Sequence, residues 1–281
     1  MRLPHTPLTQ ASHEIITCSG FRVHNSCKKL ESGTFGTLIQ FAYKLSPMVS
    51  AFLSCFSALP GRAGAWMLAV VLALTAWSFS VAQNQLDKMQ ALAQERYGAA
   101  ALESVVMWRK LMEEARNLSE DEKLKTVNVF FNRRMRYVSD QDVWGQTDYW
   151  ASPLEFMGKS AGDCEDYAIA KYMTLQMLGV PAEKLRMIYV RARFGGPGST
   201  NSEAHMVLGY YATPNEEPLI LDSLVGSIRP AASRTDLMPV FSFNTQGLWV
   251  GGATSSAADP TARLSQWRAV IERMKQEGLH P

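Results

Sequence analysis

Cysteine is scarce in this sequence: four in 281 residues is too few for a disulfide scaffold. Charge of one sign is scarce as well. The 28 Lys and Arg nearly balance the 26 Asp and Glu, and a net charge of +2 leaves no electrostatic footprint for nucleic acid. No internal repeat and no low-complexity tract is present. The glycines at 195–198 lack any phosphate-loop pattern and read as a hairpin loop. With 47% hydrophobic residues, wholesale disorder is excluded. Long apolar runs are almost missing, which excludes a polytopic membrane protein.

The longest apolar run, Ala65 to Val81, follows Arg62 and is followed by Ala82 and Gln83. A basic residue, an apolar stretch and small residues before Gln83 predict a secretory signal peptide over 62–82, cut after Ala82, with an uncleaved anchor as the minority reading. Residues 1–61 are then an unstructured or non-native extension, since signal peptides start close to the initiator. Met48 is well placed as a later start. The working domain is expected over 83–281. Six of the 28 basic and two of the 26 acidic residues lie in 1–82, so the remainder carries 22 against 24, a net −2. It keeps one cysteine, Cys164, and two histidines, His205 and His280. A protein exported through the inner membrane to the periplasm is expected, with no nucleic-acid partner.

Helical spacing of apolar residues predicts one or two helices over 85–117. Ser119 and Glu122 form a capping box that opens a helix to about Met135. Residues 137–149 read as a polar, aromatic loop, and Ser152-Pro153 starts a short helix. Gly162-Asp163-Cys164-Glu165 opens a stronger helix that ends before Gly179-Val180-Pro181. Strands are expected over 187–194, 204–212 and 219–224, with short ones near 241–243 and 248–250. Asp259-Pro260 starts a last helix over 261–277. Helices first and an antiparallel sheet afterwards make the fold class α+β.

A lone cysteine in an exported protein cannot pair within its own chain, and a free thiol in an oxidising compartment calls for a reason. Cysteine is often a small core residue. Cys164, however, sits in a helix's first turn, where unpaired N–H groups and the helix dipole favour a thiolate. A thiolate nucleophile needs a base. His205, at the start of a predicted strand, is the one well-placed histidine, against the plainer reading of a polar strand end. Asp222 closes the apolar run Leu219-Ile220-Leu221 and would orient the imidazole, although an aspartate there also suits a turn. A hairpin would bring His205 and Asp222 together.

The order Cys–His–Asp, with the cysteine opening a helix and the other two on successive strands, resembles the transglutaminase-like branch of papain-type enzymes. The segments 162–168, Lys171-Tyr172, 178–180, 203–208 and 221–223 are more narrowly similar to the bacterial transglutaminase-like cysteine proteinases, over roughly 85–250. The resemblance implies a papain/transglutaminase-like core with N-terminal helices on an antiparallel sheet, and Cys164, His205 and Asp222 as the catalytic triad. It further implies calcium (Ca2+) as cofactor, held by Asp163 and Glu165. The implied substrate is a large cell-surface adhesin cut near its N-terminus, which regulates biofilm attachment. The implied inhibitor is an inner-membrane cyclic-di-GMP receptor.

Read from the residues, Asp163, Glu165 and Asp166 are acids favoured by a helix start, or carboxylates whose mutual repulsion a calcium ion would relieve. Asp166 could instead face Arg or Lys, and Asp140, Asp142 and Asp148 could add ligands. Trp144, Tyr149 and Trp150 are candidates for a substrate groove or for ordinary packing. The same triad also serves amide exchange by a transglutaminase, and a transglutaminase-like fold can be a non-catalytic binding module.

Overall fold

The computed structural model describes residues 86–280, apart from 197, 198, 215, 252, 254 and 255. The expected extension and signal peptide lie outside the described residues. Among those residues no helix is long and apolar enough to cross a membrane.

Two helices open the fold: α1 over 86–97 and α2 over Ala99–Ala115, separated by Gly98 at φ 82°, a left-handed conformation that suits glycine. Helix α3, Glu120–Arg134, starts at the expected capping box. Ser119 N–H donates to Glu122 Oε2 at 3.0 Å, and Glu122 N–H donates back to Ser119 Oγ at 3.4 Å. Its buried face carries Leu124, Val127, Phe130 and Phe131 as the spacing predicts. Burying each large apolar side chain of this kind contributes about 1.5–3 kcal/mol.

The reading of 137–149 as loop is corrected. Strand β1, Arg136–Tyr137, pairs in parallel with β2, Ala161–Gly162, and a short helix α4 spans Asp140–Trp144. Ser139 caps α4 and Gly145, left-handed at φ 67°, ends it. Helix α5, Pro153–Lys159, carries a second capping box, from Ser152 and Glu155.

Helix α6, Cys164–Met177, is the centre of the molecule. Every residue from Glu165 to Leu175 is buried, so it has no solvent face and no helical periodicity to show. Trp108 of α2 ties into it, its Nε1–H donating to Thr174 Oγ1 at 2.8 Å.

The sheet has six antiparallel strands in the order β6-β5-β4-β3-β7-β8. They are β3 Leu185–Arg193, β4 Ser202–Tyr210, β5 Leu219–Leu221, β6 Arg229–Pro230, β7 Leu237–Phe243 and β8 Leu248–Val250. The main strands begin two residues before their expected starts, and β5 stops at Leu221, so Asp222 follows the strand rather than ending it. Alternation divides the sheet. Leu185, Met187, Met206 and Leu208 face the helices in the main core, while Ile188, Val190, Ala192, Val207 and Ile220 form a separate cluster on the other face. The last helix is also corrected. It breaks at Leu264 into α7, Pro260–Arg263, and α8, Ser265–Glu277.

Candidate active site

The first turn of α6 is built from the run Gly162 to Asp166. Asp163 is the cap, and its N–H donates to Asp166 Oδ2 at 3.3 Å. Asp166 is fully buried and also accepts from Ala151 N–H at 2.7 Å. It faces backbone amides, not the Arg or Lys weighed for it. A Cβ on residue 162 would stand 2.1 Å from Asp166 Oδ2, so only glycine fits before this turn. Cys164 is thereby the first helical residue, with Asp163 and Glu165 on either side.

Strand β5 pairs with residues 208–210 only. The earlier half of β4 is free on that side, and there the Met206 backbone lies beside the Cys164 thiol, favouring its ionised form. His205 precedes Met206 and is 2% exposed. Its Nε2 is 2.8 Å from Asp222 Oδ1. Both readings of Asp222 hold at once, because Oδ1 also accepts from Leu224 N–H at 2.9 Å and closes a turn.

Three further side chains donate to Asp222. Arg234, 5% exposed, donates from Nη2 to Asp222 Oδ2 at 2.8 Å and to Asp236 Oδ2 at 2.7 Å. Asn132 Nδ2 and Lys171 Nζ donate to the Asp222 backbone carbonyl at 2.8 and 3.1 Å. Lys171 stands in a motif quoted for the resemblance. Arg234 and Asn132 reach Asp222 only through tertiary folding, so no local spacing marks them. Burial opposes ionisation of Asp222, but bonds from His205, Leu224 and Arg234 outweigh it and hold the carboxyl down at about 2. Burial also lowers the Lys171 ammonium to about 7, against the pull of Asp222.

The thiol itself differs from expectation. Its hydrogen bond goes to Glu165 Oε2, at 3.0 Å, rather than to His205. Burial, then the Glu165 and Asp163 carboxylates, push the Cys164 thiol well up, against a smaller opposing bond from the Met206 backbone. Tyr137 of β1 also lies against the thiol, and partial burial, with the thiol and the neighbouring acids beside it, pushes its phenol well up. Nothing in the local sequence around Tyr137 points to this placement, which the β1–β2 pairing creates.

The acids gather into groups that could hold a metal ion. Asp163 and Glu165 group with Cys164, Asp140 groups with Asp163 and Asp166, and Asp140 groups with Asp148 and Glu165. In each group the ligand atoms lie within 4.8 Å of one another. Asp142 belongs to none of these groups; its Oδ2 accepts from Ser139 Oγ at 2.8 Å. Among the described residues no Lys or Arg forms an ion pair with any of the five grouped acids. Burial raises Asp140 to about 6 and, with Asp163 beside it, Glu165 to about 9. Oδ1 of Asp140 and Oδ1 of Asp163 are both buried without a hydrogen-bond partner. Orphaned carboxylate oxygens from two residues, with no paired cation of the protein's own among the described residues, suit a hard divalent ion with oxygen ligands.

The three aromatics all pack against the core, Trp150 within it and Trp144 and Tyr149 partly buried at its edge. Trp150 is buried and stacks on Phe243 at 5.6 Å. Trp144 meets Tyr149 at 4.6 Å, and the Tyr149 hydroxyl donates to Glu155 at 2.8 Å.

The chain is 40% identical to Legionella pneumophila LapG, with a TM-score of 0.58 over 67% of this chain and 97% of that one. An EGTA-treated form of that protein matches at 41% identity and a TM-score of 0.59, covering 67% and 97%. Its calcium-bound form matches at 40% and 0.57, covering 67% and 98%. No curated protein matches the chain. Residues 103–250 match the model of the bacterial transglutaminase-like cysteine proteinases (BTLCP), and with these structural relatives the match establishes that this chain is a member of that cysteine proteinase family.

Proposed function

We propose that the protein is a calcium-dependent periplasmic cysteine endopeptidase that cuts the N-terminal region of a large cell-surface adhesin and so controls biofilm attachment. The observation that carries this reading is the buried His205–Asp222 pair, closed by Arg234, on the strand whose next residue lies beside Cys164. In the proposed reaction Cys164 Sγ attacks the scissile carbonyl carbon as His205 takes its proton. With Nε2 committed to Asp222, Nδ1 is the nitrogen that receives it. His205 returns the proton to the leaving amine, and water then hydrolyses the acyl-enzyme with His205 as base. Asp222 stays ionised, orients the ring and stabilises the imidazolium. The Cys164 backbone N–H, at the first position of α6, supplies one oxyanion donor.

Asp163, Glu165 and Asp140 would hold the calcium ion, with Asp148 and Asp166 beside them. The ion supplies positive charge next to the first turn of α6, not polarisation of the substrate carbonyl. A calcium ion there would offset the negative charge of Glu165, which otherwise accepts from the thiol. An inner-membrane cyclic-di-GMP receptor is the proposed inhibitor, and the family relationship supports it.

The test is cleavage of an adhesin N-terminal fragment co-expressed with the protease. Wild type should release a defined fragment and Cys164→Ala none. His205→Ala should lose about 10³-fold or more, and Asp222→Asn somewhat less, because it orients rather than reacts. Cleavage by Cys164→Ala at the wild-type rate would overturn the assignment.

A further inference from the structure

The sheet face turned away from α6 carries a cavity of about 450 Å³, within the range of small-molecule sites. Its floor is apolar: Ile188, Val190, Val207 and Ile220 line it. Two arginines line it as well, Arg186 and Arg234, 7% and 5% exposed. Arg234 is committed to Asp222 and Asp236.

Arg186 is in a different state. Its guanidinium carbon lies 4.0 Å from the Trp249 ring centroid and 4.7 Å from that of Tyr211, and its Nε is buried with no hydrogen-bond partner. Among the described residues no carboxylate pairs with it. A buried cation without a counter-charge is costly, and two aromatic faces hold this one in a fixed orientation. The cavity wall thus combines a pre-oriented guanidinium with an aliphatic floor. Glu216, an exposed carboxylate, is also on the wall.

We propose that this cavity binds a small amphiphilic carboxylate, its head group on the Arg186 guanidinium and its aliphatic body along Ile188, Val190, Val207 and Ile220. A planar carboxylate matches the guanidinium fork, and a charge-assisted bond of this kind decides affinity in an apolar site. The site does not depend on the peptidase reading: the head group is placed on Arg186, and Arg234 is the one named wall residue that bonds to the proposed triad.

Decanoate at submicellar concentration is the probe, titrated by calorimetry against the purified full chain. One saturable site is expected, with 1-decanol and decyltrimethylammonium binding about tenfold more weakly or worse. Arg186→Gln should weaken decanoate about tenfold and leave decanol unchanged, with peptidase turnover intact. Ala232→Trp, an exposed residue on the cavity wall, should block both ligands, which keeps the test decisive if Arg186→Gln fails to fold. Equal affinity for decanol and decanoate, tighter binding of decyl phosphate, or no saturation would overturn the proposal.

Discussion

Two groups of carboxylates lie within one site and titrate in opposite directions. Asp222 is buried, yet it is held down at about 2, because His205, Leu224 N–H and Arg234 all donate to it. Asp140 and Glu165 are buried and pushed up, to about 6 and about 9. Burial is the same largest cause on both sides. The difference is the donors: His205 first, then Leu224 N–H and Arg234 serve Asp222, whereas among the described residues no Lys or Arg pairs with the acids at the start of α6. One carboxylate is served by the chain's own donors, and the other cluster is where the proposed calcium ion would sit.

Taking away that ion should break the comparison most severely. EGTA is expected to abolish adhesin-fragment cleavage reversibly, with calcium restoring it better than magnesium, which demands a tighter octahedral shell and keeps its waters. Asp163→Ala and Glu165→Ala should each weaken calcium binding, read by calorimetry, while circular dichroism shows the fold retained. Full activity in excess EGTA would return the cluster to a plain helix start.

The converse change removes the built-in cation. Arg234→Gln should lower kcat about tenfold with a smaller change in KM, since Asp222 orients the base and does not bind substrate. The Asp222 carboxyl should rise above about 2, but only part of the way, because the bonds from His205 and Leu224 N–H remain, and the acid limb of the pH–rate profile should move slightly upward. Lys at 234 should rescue part of the loss by restoring charge without the fork. A purely structural role for Arg234 would change thermal stability and leave the acid limb in place.

The smallest effect is on stability against pH. Asp140 and Glu165 have folded values above their unfolded ones, so their protonated forms favour the fold. In EGTA, stability present near pH 4 should be lost progressively as pH rises through about 6 and then about 9. Calcium should flatten that slope or reverse it. Asp222 has the opposite sign: its contribution is present above pH about 4 and is lost as pH falls through about 2. Thermal unfolding from pH 4.5 to 9, with and without calcium, measures the first of these slopes.

Much of the fold was legible locally. The capping box at Ser119, the proline at the start of α5 and the glycine after α6 act through contacts a few residues apart, so sequence spacing marks them. The misreadings had local causes too. The helix at 140–144 is one short turn between aromatics, below the length at which a period shows. The final helix breaks at Leu264 without a glycine to announce it. Asp222 could be read as strand end or turn, and it serves the histidine and the turn together.

By itself the sequence determined which residues can do the chemistry: one thiol at a helix start, one well-placed imidazole and one carboxylate after an apolar strand, with acids on either side of the thiol. Tertiary structure alone decided how those groups are poised. Arg234 reaches Asp222, Asp140 joins Asp163 and Tyr137 meets the thiol only because strands and helices remote along the chain pack together. Ionisation depends on burial and on the charges within a few ångströms, and neither is a property of neighbours in the chain.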